Sequence, residues 1–539
     1  MSQSEATRPE LHRKVGFVSL TLIAAGGILG SGWLFSPLQT AQQAGPASII
    51  SWVIGAAAML LIAFCFAEIA SVLPVAGGIA RIPRFTHGDL TAGVIGWTAW
   101  VGYCSAAPIE SAVVIRYLSQ TWPDLVLQTS GGALSQLGFI IAAAMLLFFV
   151  VINAVGVAFF AKANSVITVM KFVFPVIIAV TFLITRFEPG NFTNHGGFMP
   201  YGWHGVLSAV STGGIIFALI GFRHAIDMAG EARNPSRTVP WALIFGLLLP
   251  LLIYVGLQVA FIGALSSDDL KNGWRAVEDS HALGPLAGVS ITLGIGWLTA
   301  VIYGGAVMGP AGGALVSTGS NARLAFALSR NRFLPRIFER LSRRGIPVNA
   351  LVLNFVVGYF LLVILNFDTI VAINSAAIVL SFAIGPVAVV ALRRQMPNAP
   401  RLFRIPASGL ISTISFTISS LIVYWSDWTS MKILLIIIVV AIVTMLVSRL
   451  IVERKSWRTF DLREAIWLIP YIASLTIVSA LGNFGGTGSI PFGWDMAILS
   501  VLALINFRIA TWCALDHDTA EKYREIHMPP VFESRDTPP

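Results

Sequence analysis

Fourteen apolar segments, each long enough to cross a membrane as a helix, follow one another along this chain. About 20 apolar residues are needed for one crossing. The segments lie near residues 16–44, 47–73, 90–118, 137–158, 161–184, 206–229, 238–264, 286–318, 348–366, 369–392, 409–426, 431–449, 464–483 and 494–514. Only 11% of the residues are charged, whereas about 25% are charged in soluble globular proteins. The sequence therefore predicts an all-α polytopic membrane protein with about 14 transmembrane helices.

Lysine and arginine accumulate in alternate loops between these segments, as they do in the cytoplasmic loops of membrane proteins. With the N-terminus inside, the inner loops hold Arg81, Arg84, Lys162, Arg233, Arg237, seven arginines from Arg323 to Arg344, and further clusters near 393–404 and 449–463. The outer side holds only Arg186, Lys271, Arg275 and Lys432. The pattern predicts a protein of the cytoplasmic (inner) membrane with both termini in the cytoplasm. Its basic loops then face the lipid bilayer rather than nucleic acid.

The first segment contains the run GGILGSGWLFSP, in which Gly26, Gly27, Gly30 and Gly32 are four glycines within seven residues. An interior glycine costs a helix about 1 kcal/mol relative to alanine, and unwound backbone at membrane depth is tolerated only where it lines a protein cavity. We therefore expect a helix break and a binding site here. The N–H groups of Gly30, Ser31 and Gly32 then open a second half-helix, whose dipole favours a carboxylate. The alternative is that the glycines only let two spans pack closely.

The sixth segment repeats this peculiarity, with Gly213 and Gly214 early and Gly221 in the middle, where we expect a second break. The two interrupted spans are five spans apart, and because five is odd the second group of five runs opposite to the first. That is the arrangement of an inverted repeat with a site between broken helices. It predicts a secondary transporter. The predicted parts are a cytoplasmic tail 1–15, a ten-span core 16–392 with repeats 16–184 and 206–392, four further helices in 409–514, and a disordered cytoplasmic tail 515–539.

Burial of a charge inside a predicted span is expensive, so an ionisable residue there is a candidate functional group. The strongest candidates are Glu110, Lys171, Arg223 and Asp227. A guanidinium binds a carboxylate through two parallel hydrogen bonds, so Arg223 is a candidate substrate ligand. The alternative is a structural ion pair between Arg223 and Asp227, which share a helix face. Three roles are open for Glu110: it carries a proton, it pairs with Arg223, or it faces an aqueous vestibule.

Four motifs in this order resemble those of the amino acid–polyamine–organocation (APC) permeases. They are GGILGSGWLF, FAEIASVLPVAGGIARIPR from Phe66, FALIGFRHAIDMAGEARNPSRTVP from Phe217, and NARLAFALSRNRFLPRIFERLSRRGIPVNA from Asn321. GFRHAIDMAGE looks most like the bacterial aspartate–proton symporters of this family. The resemblance implies a leucine-transporter-like five-plus-five inverted repeat with additional C-terminal spans. It also implies that Lys171 takes the place of the sodium ion of sodium-driven relatives. Two residues depart from the pattern: Leu219 replaces a common aromatic residue and Arg223 a common acidic one.

Together these observations predict a proton symporter that imports amino acids, acidic ones first. The candidate substrate-binding residues are Ile28, Gly30, Ser31, Gly32, Phe217, Gly221 and Arg223, and the candidate proton-coupling residues are Lys171, Glu110 and Asp227. Alternatives are a neutral amino acid permease, an exchanger, or a nutrient sensor without transport. No nucleophile–base constellation of an enzyme, channel filter or metal-ligand spacing is present in the sequence, and we expect no cofactor. The oligomeric state is left open.

Overall fold

A computed structural model describes residues 15–73, 78–127, 133–155, 158–228, 232–277, 284–401, 403–448 and 461–527, with the backbone alone at 80, 158–166, 227, 235, 236, 526 and 527. The described part is almost entirely helical. Its helices are α1 Phe17–Ile28, α2 Gly32–Ala44, α3 Ser48–Val72, α4 Gly78–Leu118, α5 Gln136–Val155, α6 Ala158–Thr185, α7 Gly202–Ser211, α8 Ile215–Leu219, α9 Arg223–Asp227, α10 Pro235–Ala264, α11 Pro285–Thr292, α12 Gly296–Arg330, α13 Val348–Ile364, α14 Phe367–Phe382, α15 Ile384–Gln395, α16 Ser408–Trp425, α17 Trp428–Leu446, α18 Leu462–Ala465, α19 Leu468–Leu481, α20 Trp494–Trp512 and α21 His517–His527. Two short strands, β1 Val126–Leu127 and β2 Ala133–Leu134, pair antiparallel.

Ten of the described helices are long and apolar enough to cross a membrane, or eleven when the bent pair α7 and α8–α9 is counted as one span. This confirms an all-α polytopic membrane protein. Helix is present within each of the fourteen predicted segments. Two apolar helices outside this count are shorter than the usual crossing length. They are α1, with 12 residues in the interrupted first segment, and α13, with 17 residues. The inverted repeat stays a prediction.

Helix α4 lies at the centre of the bundle, where it packs against α12, α13, α14 and α17. Helix α14 is buried continuously from Ile370 to Phe382, whereas α5, α6 and α10 expose rows of large apolar side chains. A membrane protein needs such an apolar exterior because lipid cannot satisfy polar groups. The polar residues that form a site must therefore lie inside the bundle, away from these apolar faces.

Residues 517–527, part of the predicted disordered tail 515–539, instead form the C-terminal helix α21. It packs against α4 and α15 and buries Ala520, while its charged face stays exposed. Polar composition alone predicts no ordered structure, but one small buried face and specific hydrogen bonds are sufficient here. Residues 528–539 of that tail and residues 1–14 of the N-terminal tail lie outside the described part of the chain.

Helix α4 is kinked at Gly88, which has a left-handed φ of 77°. Residues from far along the chain satisfy the backbone around this kink. The Asp461 carboxylate accepts hydrogen bonds from the Asp89 N–H at 2.7 Å and from the Tyr523 hydroxyl at 2.7 Å. The Leu515 N–H donates to the carbonyl of Thr86 at 2.9 Å. The C-terminal part of the protein is thus attached to one end of the central helix.

Candidate binding site between two broken helices

The first break lies where the glycine run predicts it. Helix α1 ends at Ile28 and α2 begins at Gly32, with three non-helical residues between them. The Gly30 N–H donates to the Ile28 carbonyl at 2.8 Å, which closes a tight turn. The expectation that this N–H is open to a ligand is therefore wrong, because the turn itself uses it.

The second break differs from the prediction in its position. The axis bends by 42° between α7 and α8–α9, at the turn before α8, where Gly214 has a φ of 85°. Residues with side chains rarely adopt this conformation. At Gly221 the chain only tightens into a 3₁₀ turn. The bend therefore requires Gly214, and Gly221 has another role.

Gly221 allows direct contact between the backbones of the two interrupted spans. A Cβ atom added at Gly221 would collide with the carbonyl carbon of Gly27 and the amide nitrogen of Ile28. A Cβ added at Gly27 would collide with the His224 ring and would lie 2.9 Å from the Gly221 carbonyl oxygen. The site is thus built around a contact between α1 and the 3₁₀ turn that any side chain would prevent.

Tyr254 on α10 satisfies a carbonyl group at the first break. Its hydroxyl donates to the Ile28 carbonyl at 2.8 Å, and its ring stacks on Trp52 with centroids 4.6 Å apart. The indole N–H of Trp52 in turn donates to Gln258 at 3.0 Å. Sequence reasoning missed Tyr254, although a tyrosine inside an apolar span is a detectable signal, since a buried hydroxyl requires a partner.

Glu110 and Lys171 lie on either side of a glycine pair in α12. A Cβ added at Gly313 would lie 2.9 Å from the Glu110 carboxylate, and one added at Gly312 would lie 3.3 Å from the Lys171 ammonium. The ammonium donates to the Gly26 carbonyl at 3.2 Å. Both charged side chains are buried, with 6% and 5% of their surface exposed. The structure therefore brings these two predicted residues together, close enough to interact electrostatically.

The Glu110 carboxylate lies where the sequence analysis places a substrate carboxylate. It faces Ser31, and a Cβ added at Gly30 would collide with it. This is the N-terminal end of α2, where the helix dipole and unpaired N–H groups favour an anion. The protein thus supplies its own carboxylate at this position.

Arg223 is buried, with 3% of its surface exposed, and its Cζ atom lies 3.4 Å from the centroid of the Tyr103 ring. Its Nε and Nη1 atoms have no hydrogen-bond partner among the described residues. No ion pair joins it to Glu110 within that part of the chain. The side chain of Asp227, its alternative partner, lies outside the described residues.

Most of the predicted site residues line one cavity. Its lining consists of Gly27, Ile28, Gly30, Ala106, Glu110, Phe217, Ile220, Gly221, Arg223, His224, Ser317, Asn374 and Ile378. Five of the seven predicted substrate-binding residues are in this set; Ser31 and Gly32 are not. Lys171 lies behind the α1 backbone rather than on the cavity wall. Sequence reasoning missed Ser317 and Asn374, because uncharged polar residues in a span carry little signal.

Aromatic rings cover this cavity on the side of Phe217. Phe35 lies between Phe217 and Phe367, with centroid distances of 5.8 Å and 5.2 Å. The guanidinium carbon of Arg116 lies 4.2 Å from the centroid of the Phe367 ring. Nearby, Gln39 donates to Asp368 at 2.6 Å. These contacts lie on the side of the cavity toward the ends of α2 and α4 that the loop charges predict to be outside.

Comparison with known proteins identifies a matching family and similar transporters. A family model described as amino acid permease matches residues 15–448. The glutamate/serine transporter AimA of Bacillus subtilis is 34% identical over 509 residues, or 92% of this chain and 93% of the relative. The aspartate-proton symporter of the same organism is 33% identical over 515 residues, or 94% and 98%. The branched-chain amino acid permease BcaP of B. subtilis is 26% identical over 444 residues, or 80% and 92%.

These matches confirm the resemblance read from the four motifs. They cover both broken helices and most of the remaining chain. The family and these relatives are transporters, and the chain is not an enzyme. This protein belongs to the amino acid permeases of the amino acid–polyamine–organocation superfamily and is a multi-pass membrane transporter of amino acids.

Proposed function

We propose that this protein imports acidic amino acids, aspartate first, together with protons across the cytoplasmic (inner) membrane. The observation that carries the proposal is the buried Arg223 guanidinium on the cavity wall, whose Nε and Nη1 atoms have no hydrogen-bond partner among the described residues. A buried donor without a partner is costly, and a substrate with a second carboxylate supplies one. The names of the two Bacillus relatives, which include glutamate and aspartate, support the same substrate class.

The proposed coupling begins at the N-terminal end of α2. In this proposal the substrate's α-carboxylate displaces the Glu110 carboxylate from Ser31 at the N-terminal end of α2. Two carboxylates at one helix end repel each other, so Glu110 binds a proton as the substrate arrives. Lys171 interacts electrostatically with Glu110 and donates a hydrogen bond to the Gly26 carbonyl of α1. In this proposal, protonation of Glu110 therefore changes the conformation of the first break through Lys171. The substrate and the proton then leave on the cytoplasmic side, where we place the two termini.

A neutral substrate is the second candidate, and one observation favours it. The relative AimA is named for serine as well as glutamate. If Asp227 neutralises Arg223, the pocket needs no second carboxylate. Exchange and nutrient sensing without flux remain further alternatives, which transport measurements separate.

Uptake by the purified protein in proteoliposomes tests the proposal. We expect labelled aspartate to accumulate when the outside is more acidic than the inside, without sodium, and to stop accumulating when a protonophore is added. Unlabelled aspartate and glutamate should compete far better than alanine or leucine. Equal competition by the neutral amino acids would remove the acidic substrate and leave the general permease. Binding without any flux would favour the sensor.

Replacing Lys171 by glutamine is expected to abolish pH-driven accumulation of aspartate while exchange of labelled for unlabelled aspartate continues. The reason is that the variant keeps the cavity wall but loses the charge that interacts with Glu110. Lys432→Gln is the matched control, because Lys432 lies against Trp428 on α17, away from the cavity. Full pH-driven accumulation by Lys171→Gln, or a requirement for sodium in the unmodified protein, would exclude a coupling role for Lys171.

A further inference from the structure

Arg223 rests on the face of one aromatic ring. Its Cζ atom lies 3.4 Å from the ring centroid of Tyr103, a residue of α4. Both side chains have only 3% of their surface exposed. A cation is attracted to the electron-rich face of an aromatic ring, and the attraction is larger when water is excluded from the pair. The contact is therefore among the interactions that hold the buried charge in place.

A ring contact differs from an ion pair in what it leaves available. The guanidinium is planar and carries its N–H donors around its edge, so contact through its face does not use them. The Nε and Nη1 atoms of Arg223 indeed have no hydrogen-bond partner among the described residues. A carboxylate in place of Tyr103 would occupy such donors. The ring thus fixes the position of the cation and leaves its edge for a ligand.

The Tyr103 ring also borders a second cavity, which lies among α4, α5, α12 and α13. Ser317 borders both cavities. The indole N–H of Trp100 donates to the side-chain oxygen of Asn354 at 2.9 Å on this wall. An indole nitrogen only donates, which fixes the orientation of that amide. Tyr103 is thus part of a wall ordered by specific polar contacts.

We propose that Tyr103 is the positioning residue that makes this transporter selective for substrates with a second carboxylate. Its ring face holds the Arg223 guanidinium at the cavity wall, and the free edge of the guanidinium then receives the side-chain carboxylate of the substrate. Tyr103 itself contacts Arg223 rather than the substrate. The inference rests on the proposed function, since it specifies how the same cavity distinguishes acidic from neutral amino acids.

The test compares Tyr103→Phe with Tyr103→Leu in proteoliposomes. The readout is the ratio of the inhibition constants of aspartate and alanine against labelled substrate. Phenylalanine keeps the ring face, so Tyr103→Phe should keep the ratio of the unmodified protein. Leucine removes the face, and the preference for aspartate should fall about tenfold or more. Tyr359→Leu is the matched control, because the Tyr359 ring stacks on Phe355 rather than on a cation, and it should leave the ratio unchanged.

A fluorinated series keeps the inference testable if Tyr103→Leu does not fold. Phenylalanine analogues with one, two and three ring fluorines at position 103 have nearly the same shape and a progressively weaker attraction for cations. Aspartate affinity should fall stepwise along the series while alanine affinity stays constant. An unchanged ratio across the series, or in folded Tyr103→Leu, would overturn the role of Tyr103. Absence of an aspartate preference in the unmodified protein would instead overturn the proposed substrate.

Discussion

Replacing Gly221 by alanine is expected to reduce amino acid uptake to background. The added Cβ would collide with Gly27 and Ile28 through backbone atoms, which cannot rotate away as the end of a flexible side chain can. The 3₁₀ turn and α1 must then separate, and the cavity between them loses its geometry. Gly30→Leu should have the same result for a different reason, because its side chain would displace the Glu110 carboxylate. Uptake and substrate binding by the purified variants measure both effects.

Gly256→Ala is the control for these substitutions. Gly256 lies in α10, and a Cβ added there meets no atom within 4 Å. Alanine is the better helix former, so this variant should transport normally and be at least as stable as the unmodified protein. Monodisperse elution of Gly30→Leu would show that its defect is local. Normal substrate affinity in both Gly221→Ala and Gly30→Leu would mean that the contact between the breaks does not form the site.

Replacing Arg223 by alanine is expected to weaken aspartate binding by about a hundredfold or more. Removal of one member of a buried charged pair typically costs about 3–5 kcal/mol, and the bound carboxylate would lose its partner in a cavity with little water. Alanine as a substrate should bind as before, because the backbone contacts at the two breaks remain. Binding of both amino acids to the purified variant, by calorimetry or competition, measures the difference.

Arg223→Lys should give an intermediate loss, since an ammonium keeps the charge but lacks the planar fork that binds both carboxylate oxygens. Arg186→Ala is the control, because Arg186 forms a partly exposed ion pair with Glu188 outside the cavity. If Arg223→Ala bound aspartate and alanine as the unmodified protein does, Arg223 would be structural. The protein would then be an amino acid permease without a preference for acidic substrates.

The first break could be predicted from the sequence, but the second could be predicted only in part. Four clustered glycines at membrane depth are sufficient to predict that α1 ends near Ile28. In the sixth segment the bend is at Gly214, because among the described residues of that segment it alone has a left-handed φ. Gly221 instead permits the close approach of α1. A sequence does not show whether a glycine is needed for a left-handed φ or for close contact with another helix. The backbone conformation and the packing distinguish the two cases.

The buried charges and the glycine motifs of the site could be predicted, whereas the tyrosines that contact them could not. The cost of burying a charge in a bilayer identifies Glu110, Lys171 and Arg223 without any structure. Tyr103 and Tyr254 have no such cost, and their roles depend on what faces them: a guanidinium for one and a free carbonyl for the other. Those pairings join residues that are more than a hundred positions apart in the chain, and a single sequence does not record them.

The kink of the central helix at Gly88 has a consequence for the order in which the protein is completed. Chains are synthesised from the N-terminus and their parts fold in that order, so α4 exists long before its partners. The Asp89 N–H donates to the Asp461 carboxylate, and the Thr86 carbonyl accepts from the Leu515 N–H and from the Gln395 side chain. Until the ribosome has passed residues 461 and 515, the end of α4 next to the kink lacks the hydrogen bonds to Asp461 and Leu515. This end of the central helix therefore reaches its final form only after α20 has been made.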